Sequence, residues 1–359
     1  MIRTVLNTSR VRNNNLFLGD PIGIQRYDAP KYPIFLELFR QQMQFIWMPE
    51  RISLIEDKNK YRALSETEKF IFDSNLKWQT ACDSLLTRGL DELRRHVTNE
   101  ELETTLTIHS CVETCIHSFS YTHILRFLME KSMGQFFDEI LEDEEIVKRL
   151  DKVITAYDKL FDVEEKDLKR SILDTLIQNY MTEGILFYSS FVTSFYFGAK
   201  HGFKAADIVK EISRDENIHV ANFANIFKIL KTKPEEGFSE LIESLEDHIY
   251  NCFRTCVEHE KDWCKYLFSK GDLMGLNEEM MNKYVEWIAN NRLASIGYKK
   301  IFDCKKNPLG SWINPFFGQD SDGNDVKTQV APQESNTITS YKIGAIDNDV
   351  SDEDFEGLF

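Results

Sequence analysis

The sequence predicts an all-α protein, a bundle of long helices enclosing a cluster of acids and histidines, with a disordered acidic tail behind it. Three observations predict this. No proline falls between Pro49 and Pro234, and glycine is sparse there; long helices require this, because an interior proline costs about 3 kcal/mol. Apolar residues recur at helical spacing, as in Phe70, Ile71 and Leu76, in Ile116, Phe119, Ile124 and Phe127, and in Ile185, Tyr188, Phe191 and Phe195. Two stretches, Glu113 to His117 and Glu216 to His219, each put a carboxylate and an imidazole on one helical face.

Taken in order, the pattern predicts helices near 31–46, 66–89, 101–130, 136–161, 165–199, 205–231, 235–269 and 276–300. Thr98 with Glu101 reads as a capping box for the third, and Lys233-Pro234 separates two later helices. After about residue 303 the turn-rich segment KKNPLGSWINPFFGQDSDGND ends the regular pattern. The expected organisation is an N-terminal arm over 1–30, a helical domain over 31–318 and a flexible tail over 319–359. From Asp320 onward ten acids face only Lys327 and Lys342, so half of the chain's net −16 lies in the tail. That segment cannot bury enough apolar area to order itself, yet it ends in Phe355, Leu358 and Phe359, groups suited to a partner's groove.

The acidic balance, 43 basic against 59 acidic residues, argues against a nucleic-acid groove. Seven cysteines without a CxxC pair suit thiols in a reducing cytosol, and a cytoplasmic location is expected. No apolar run is long enough for a signal peptide or a membrane span.

A lone Glu-x-x-His is weak evidence, because most such pairs are solvated helix faces. Here Phe195, Phe197, Ile208, Ile212 and Ile218 surround Glu216 and His219 with apolar bulk. Asp83 in TACDSLLTR and Glu183 in YMTEGILFYSSF are single acids in apolar settings, where an unpaired carboxylate is costly. An arginine could answer either acid alone. Together, four acids and two histidines on four predicted helices match the ferritin-like di-metal arrangement. Carboxylates and imidazoles without thiolate favour iron or manganese in a redox role over structural zinc. His109, four residues before Glu113, reads as a packing residue or an outer neighbour of the site.

In these residues the chain resembles the radical-generating small subunit of class I ribonucleotide reductase. The segments GIQRYDAPKYPIF, FIWMPE, FIFDSNLKWQTACDS, CIHSFSYTHILR, EGILFYSSF, ISRDENIH, EKDWCKYLF and VAPQE with a following tyrosine carry it across nearly the whole length. The resemblance implies a ferritin-like bundle binding two metal ions, iron with manganese as the alternative. Asp83, Glu113 and His117 would hold one metal, Glu183, Glu216 and His219 the other, with carboxylate bridges between. It also implies a stable radical on Tyr121, shielded by Phe187, Phe191 and Ile212. Asp215 would link His117 to Trp47, and the oxidising equivalent would leave through Trp47 and Tyr341, with Glu334 assisting. The implied partners are a large catalytic subunit docking on the C-terminal tail, a second copy of the chain, and O2 or another oxidant. Ribonucleotide reduction would take place in the large subunit, in keeping with the absence of a phosphate-cradling glycine loop here.

One departure concerns the site itself. In the family the first Glu and His are three apart, whereas ETCIH separates Glu113 and His117 by four. A π-bulge would absorb the inserted residue, while a regular helix would turn Glu113 by about 100° from its family position. Phe119, where a polar residue is common, and a Glu334 to Tyr341 gap one residue longer than expected are smaller departures. Two rival readings are another di-metal oxidase of this fold and a non-catalytic metal-binding helical protein. The tail with Tyr341 speaks against the first, and Tyr121 with its apolar collar against the second.

Overall fold

The computed structural model describes residues 6–128 and 133–317. Expectations for Glu334, Tyr341, the terminal DEDFEGLF and the domain end at residue 318 lie outside them. The helices are α1 Pro33–Gln44, α2 Asp57–Ala63, α3 Glu66–Arg94, α4 Glu100–Val112, α5 Ser118–Leu128, α6 Met133–Glu142 and α7 Glu144–Phe161. They continue as α8 Leu168–Met181, α9 Phe187–His201, α10 Ala205–Thr232, α11 Ser239–Ser244, α12 Glu246–Leu267, α13 Glu278–Ser295 and the single turn α14 Gly310–Ile313. Among the described residues the only β pairings are isolated bridges, Phe17 with Val97 and Leu273 with Leu276.

Local chemistry explains the boundaries. Ser65 caps α3 and Glu68 returns the bond, a full capping box. At α4 the expected Thr98 and Glu101 box does not form. Asn99 is the cap, accepting from the Leu102 amide, while the Thr98 hydroxyl donates to the Asn15 carbonyl and accepts from the Gly19 amide. Being recruited by the N-terminal segment, Thr98 is not free to cap. Asp143 caps α7 and splits the helix expected over 136–161, and a break at Leu245 splits the one expected over 235–269. Gly202 closes α9 in the left-handed region at φ 67°, and α10 stops ahead of Pro234, as the sequence suggested.

The site-bearing layer consists of α3, the α4–α5 rod, the α8–α9 rod and α10. Within it α3 packs on α4 and α9, and α10 on α9, α8 and α4. Helix α1 lies across α4 and α10 from outside, while α7, α12 and α13 cover other faces. One continuous apolar core runs from Leu16 to Phe317. Buried Arg149 acts as a strut inside it, donating twice to Glu260 at 2.6 and 2.7 Å and lying over the Trp78 ring. In this buried pair the guanidinium fork matches the two carboxylate oxygens. The aromatic run after α14 closes the bundle end, with Phe316 stacked on Phe195 and Phe317 on Tyr188. No helix of the described residues is long and apolar enough to cross a membrane.

Candidate metal centre

Both rods that carry the acids are broken by a π turn. Between α4 and α5 the turn covers Glu113–His117, and the Ser118 amide bonds back to the Glu113 carbonyl, one residue wider than an α-helix. The inserted residue of ETCIH is absorbed there, so α4 and α5 each keep their own register. A second π turn, Thr182–Leu186, opens between α8 and α9 at Glu183. Spacing gave no hint of this one, since the residues around Glu183 have no second ligand on the same helix to be out of phase with. Its loosened carbonyls are answered by side chains, two of them from neighbouring helices. Arg292 Nε donates to the Gly184 carbonyl at 2.9 Å, and Arg149 and Ser189 donate to that of Leu186. A Cβ at residue 184 would lie 2.9 Å from Arg292 Nε, so any side chain there would force Arg292 to shift.

The expected ligands converge. Asp83 from α3, Glu113 and His117 from the first π turn and Glu216 from α10 form one group whose ligating atoms lie within 4.8 Å of one another. Glu183 from the second π turn, His219 from α10, Glu113 again and His109 form the other. All are buried. Two acids face both histidines: Glu113 places Oε2 3.2 Å from His117 Nδ1 and Oε1 3.0 Å from His219 Nδ1, and Glu216 places Oε1 and Oε2 3.4 and 3.0 Å from the same atoms. They lie between the two histidines and would be placed to bridge a pair of cations. Of these two histidines, Asp83 stands near only His117, at 3.9 Å, and Glu183 near only His219, at the same distance.

The electrostatics follow that geometry. Burial drives Asp83 well above the carboxylate range, reinforced by the charge on Glu113, and with help from Glu216 it brings Glu183 up to about 7. Burial opposes ionisation of Glu113 and Glu216 as well, yet both are held below the ordinary value, Glu113 strongly by the imidazoles and Glu216 by a hydrogen bond from Glu183 and then by the imidazoles. Both histidines are held well above theirs, because the surrounding carboxylates outweigh their desolvation.

The residues present fit two divalent cations. Both oxygens of Asp83 and one each of Glu113, Glu183 and Glu216 are buried and make no well-aligned hydrogen bond to the protein, a costly state unless a cation answers them. Four carboxylates balance two dications in charge, and an oxygen and imidazole donor set without thiolate suits iron or manganese.

Around this centre, Asp215 accepts from Trp47 Nε1 at 2.8 Å and lies 3.2 Å from His117 Nε2 with the same oxygen, while its other oxygen accepts from Gln42 at 2.9 Å. Tyr121, one turn past His117, is wholly buried with its hydroxyl facing Asp83. Burial first, then the charge of Asp83, pushes the phenol far above its ordinary pKa. Phe187, Phe191 and Ile212 are fully buried, and the two rings stack at 5.9 Å.

Two participants were under-read in the sequence. His109 is a member of the cluster, 3.2 Å from Glu183 and 3.5 Å from Glu113, with its ring stacked on His219 at 3.5 Å. Its i, i+4 relation to Glu113 was the available signal. Gln42 gave none beyond being a glutamine on the buried side of α1.

A four-helix layer supplying four acids and two imidazoles to adjoining positions defines a ferritin-like di-metal carboxylate protein. Known proteins narrow the class. The family described as "Ribonucleotide reductase, small chain" matches residues 26–308. The ribonucleoside-diphosphate reductase subunit beta of Buchnera aphidicola is 35% identical, with 98% of this chain and 99% of that protein aligned. Subunit beta of reductase 1 from Escherichia coli is 34% identical over 98% of each chain. The R2 subunit structure from Clostridium botulinum superposes with a TM-score of 0.80 at 30% identity, covering 88% of this chain and 98% of the other. The chain belongs to the ribonucleotide reductase small-chain family, as a class I small subunit that serves ribonucleotide reduction with a large subunit.

Proposed function

We propose that Tyr121 is the radical residue of this subunit and that Asp83, Glu113, His117, Glu183, Glu216 and His219 hold the two metal ions beside it, iron or manganese. The carrying observation is a wholly buried phenol facing Asp83, one helical turn from a buried cluster of carboxylates and histidines. Bound metal ions, with O2 or another oxidant, supply the oxidising power for removing one electron from Tyr121.

The chain's own residues do the rest. At neutral pH the phenol is protonated, so its oxidation must release the proton from Oη, and Asp83 is the carboxylate whose charge acts on it most strongly. Burial keeps reductants away from the resulting neutral radical. Phe187, Phe191 and Ile212 serve this exclusion, having no group that donates a hydrogen readily. Trp47, Asp215 and His117 form one hydrogen-bonded line. Asp215 fixes the His117 ring and tautomer and holds the indole N–H as charge passes through Trp47. Onward transfer is assigned to Tyr341 with Glu334, in a tail that docks on the large subunit through its acidic, aromatic end. The small subunit works as a pair of identical chains.

Apo protein given Fe(II) or Mn(II), reductant as needed and O2 is expected to show a tyrosyl radical by electron paramagnetic resonance, and Tyr121→Phe to lose it. Failure to see a radical with either metal would sink the assignment. Removal of residues 340–359 is expected to abolish turnover with the large subunit while the radical signal persists. Undiminished turnover would take the tail out of the pathway.

A further inference from the structure

A second line of aromatic side chains leads away from the centre through helices that the Trp47 and Asp215 line does not use. Trp78 on α3 is wholly buried, five residues before Asp83, so about 7.5 Å of helix rise separates the two. Its ring lies 5.1 Å from that of Phe187. The Arg149 guanidinium of α7 lies 3.6 Å from the centre of the Trp78 ring and 4.6 Å from that of Trp263 on α12, so one cation joins two indoles. Trp263 is in turn 5.2 Å from Tyr266, whose hydroxyl donates to Asp143 Oδ2 at 2.6 Å. Burial falls off along the line. Trp78 is 0% and Trp263 3% exposed, whereas Tyr266 is only half-buried.

Each member has the surroundings that electron transfer asks of it. Indoles pass a single electron and keep the N–H proton. A phenol must lose its proton on oxidation: burial, and then the bond to Asp143, hold Tyr266 well above its ordinary pKa, and Asp143 is the base already in place. Arg149 sets a threshold. A cation over a ring face is attracted to the neutral indole and repelled by an oxidised one, and the two bonds to Glu260 keep the guanidinium where it is. A settled tyrosyl radical is therefore too weak an oxidant to draw on this line. The oxidising equivalent that makes such a radical is stronger.

We propose that Trp78, Trp263 and Tyr266, gated by Arg149, form a relief line that discharges the centre when Tyr121 does not supply the electron. Trp78 loses one electron as the centre gains it, Trp263 refills Trp78, and Tyr266 refills Trp263 while its phenolic proton passes to Asp143. A one-electron reductant of the ascorbate class in solution then reduces the Tyr266 radical, and Asp143 returns the proton. The balance is one electron moved from that reductant to the centre, with no bond in the protein changed at the end.

The inference rests on the radical reading of the centre. It is tested on the full-length chain loaded with Fe(II) and exposed to O2, with Tyr121→Phe removing the primary donor, by freeze-quench electron paramagnetic resonance and by peptide mass spectrometry after the reaction. A transient aromatic radical and oxygen addition at Trp263 and Tyr266 are expected, and adding Trp263→Phe should bring oxidation of Tyr266 down to the level seen without iron. A Tyr121→Phe chain unmodified at both residues, while the native chain forms its tyrosyl radical, would overturn the line and leave the radical reading standing. Oxidation of Tyr266 unchanged by Trp263→Phe would do the same. A native chain without a tyrosyl radical would overturn the reading beneath it instead. Should Trp263→Phe not fold, Tyr266→Phe takes its place: it should prolong the transient tryptophan radical severalfold, and an unchanged lifetime would overturn the line.

Discussion

Gly184→Ala offers the sharpest test of how the second π turn is held. A Cβ at residue 184 would lie 2.9, 3.0 and 3.3 Å from Nε, Cδ and Cγ of Arg292. Arg292 is 3% exposed and cannot swing into solvent. It is pinned by its bond to the Gly184 carbonyl and by its guanidinium 4.5 Å above the Tyr188 ring. Displacing it forfeits a charge-assisted hydrogen bond, about 1.5–3 kcal/mol, and adds overpacking of about 1–3 kcal/mol. Lower entropy of the unfolded chain returns about 0.4–1 kcal/mol. The expected net loss is therefore about 1.5–5.5 kcal/mol. Urea unfolding followed by circular dichroism should give a lower midpoint with an unchanged slope, and Mn(II) binding should weaken because Glu183 is the adjacent residue. A variant as stable as the native protein would refute the claim that Arg292 fixes this turn.

Further outcomes follow from the same geometry. Asp215→Asn removes the charge that His117 and Trp47 share, and should cost roughly ten- to hundredfold in affinity at one Mn(II) site, the one at His117. Equal weakening at both sites, measured by the same isotherm, would contradict the assignment. Metal uptake should also depend on pH. Burial and Glu216 place the metal-free Glu183 carboxyl at about 7, so below that value a cation must displace its proton. Mn(II) affinity should therefore rise from pH 6 toward pH 8 with proton release, and Glu183→Gln should reduce that release, as read by calorimetry in buffers of different ionisation enthalpy.

The sequence alone determined what depends on near neighbours along the chain. Long helices follow from proline placement and apolar period, and Glu216 with His219 follows from a three-residue offset that any α-helix turns to one side. The oddity of ETCIH was equally legible, as a register error that a π turn could absorb. What lay beyond sequence was set by contacts between helices. Thr98 lost its capping role to a segment some eighty residues earlier in the chain. The turn at Thr182–Leu186 depends on Arg292 and Arg149 reaching in from other helices. Glu113 and Glu216 are distinguished as the bridging acids only when both histidines face them, and His109 and Gln42 join the site only because α4 and α1 pack against α10. Spacing fixes the direction of a side chain on its own helix; what it meets there is decided by packing, because partners from distant segments are brought together only by the fold.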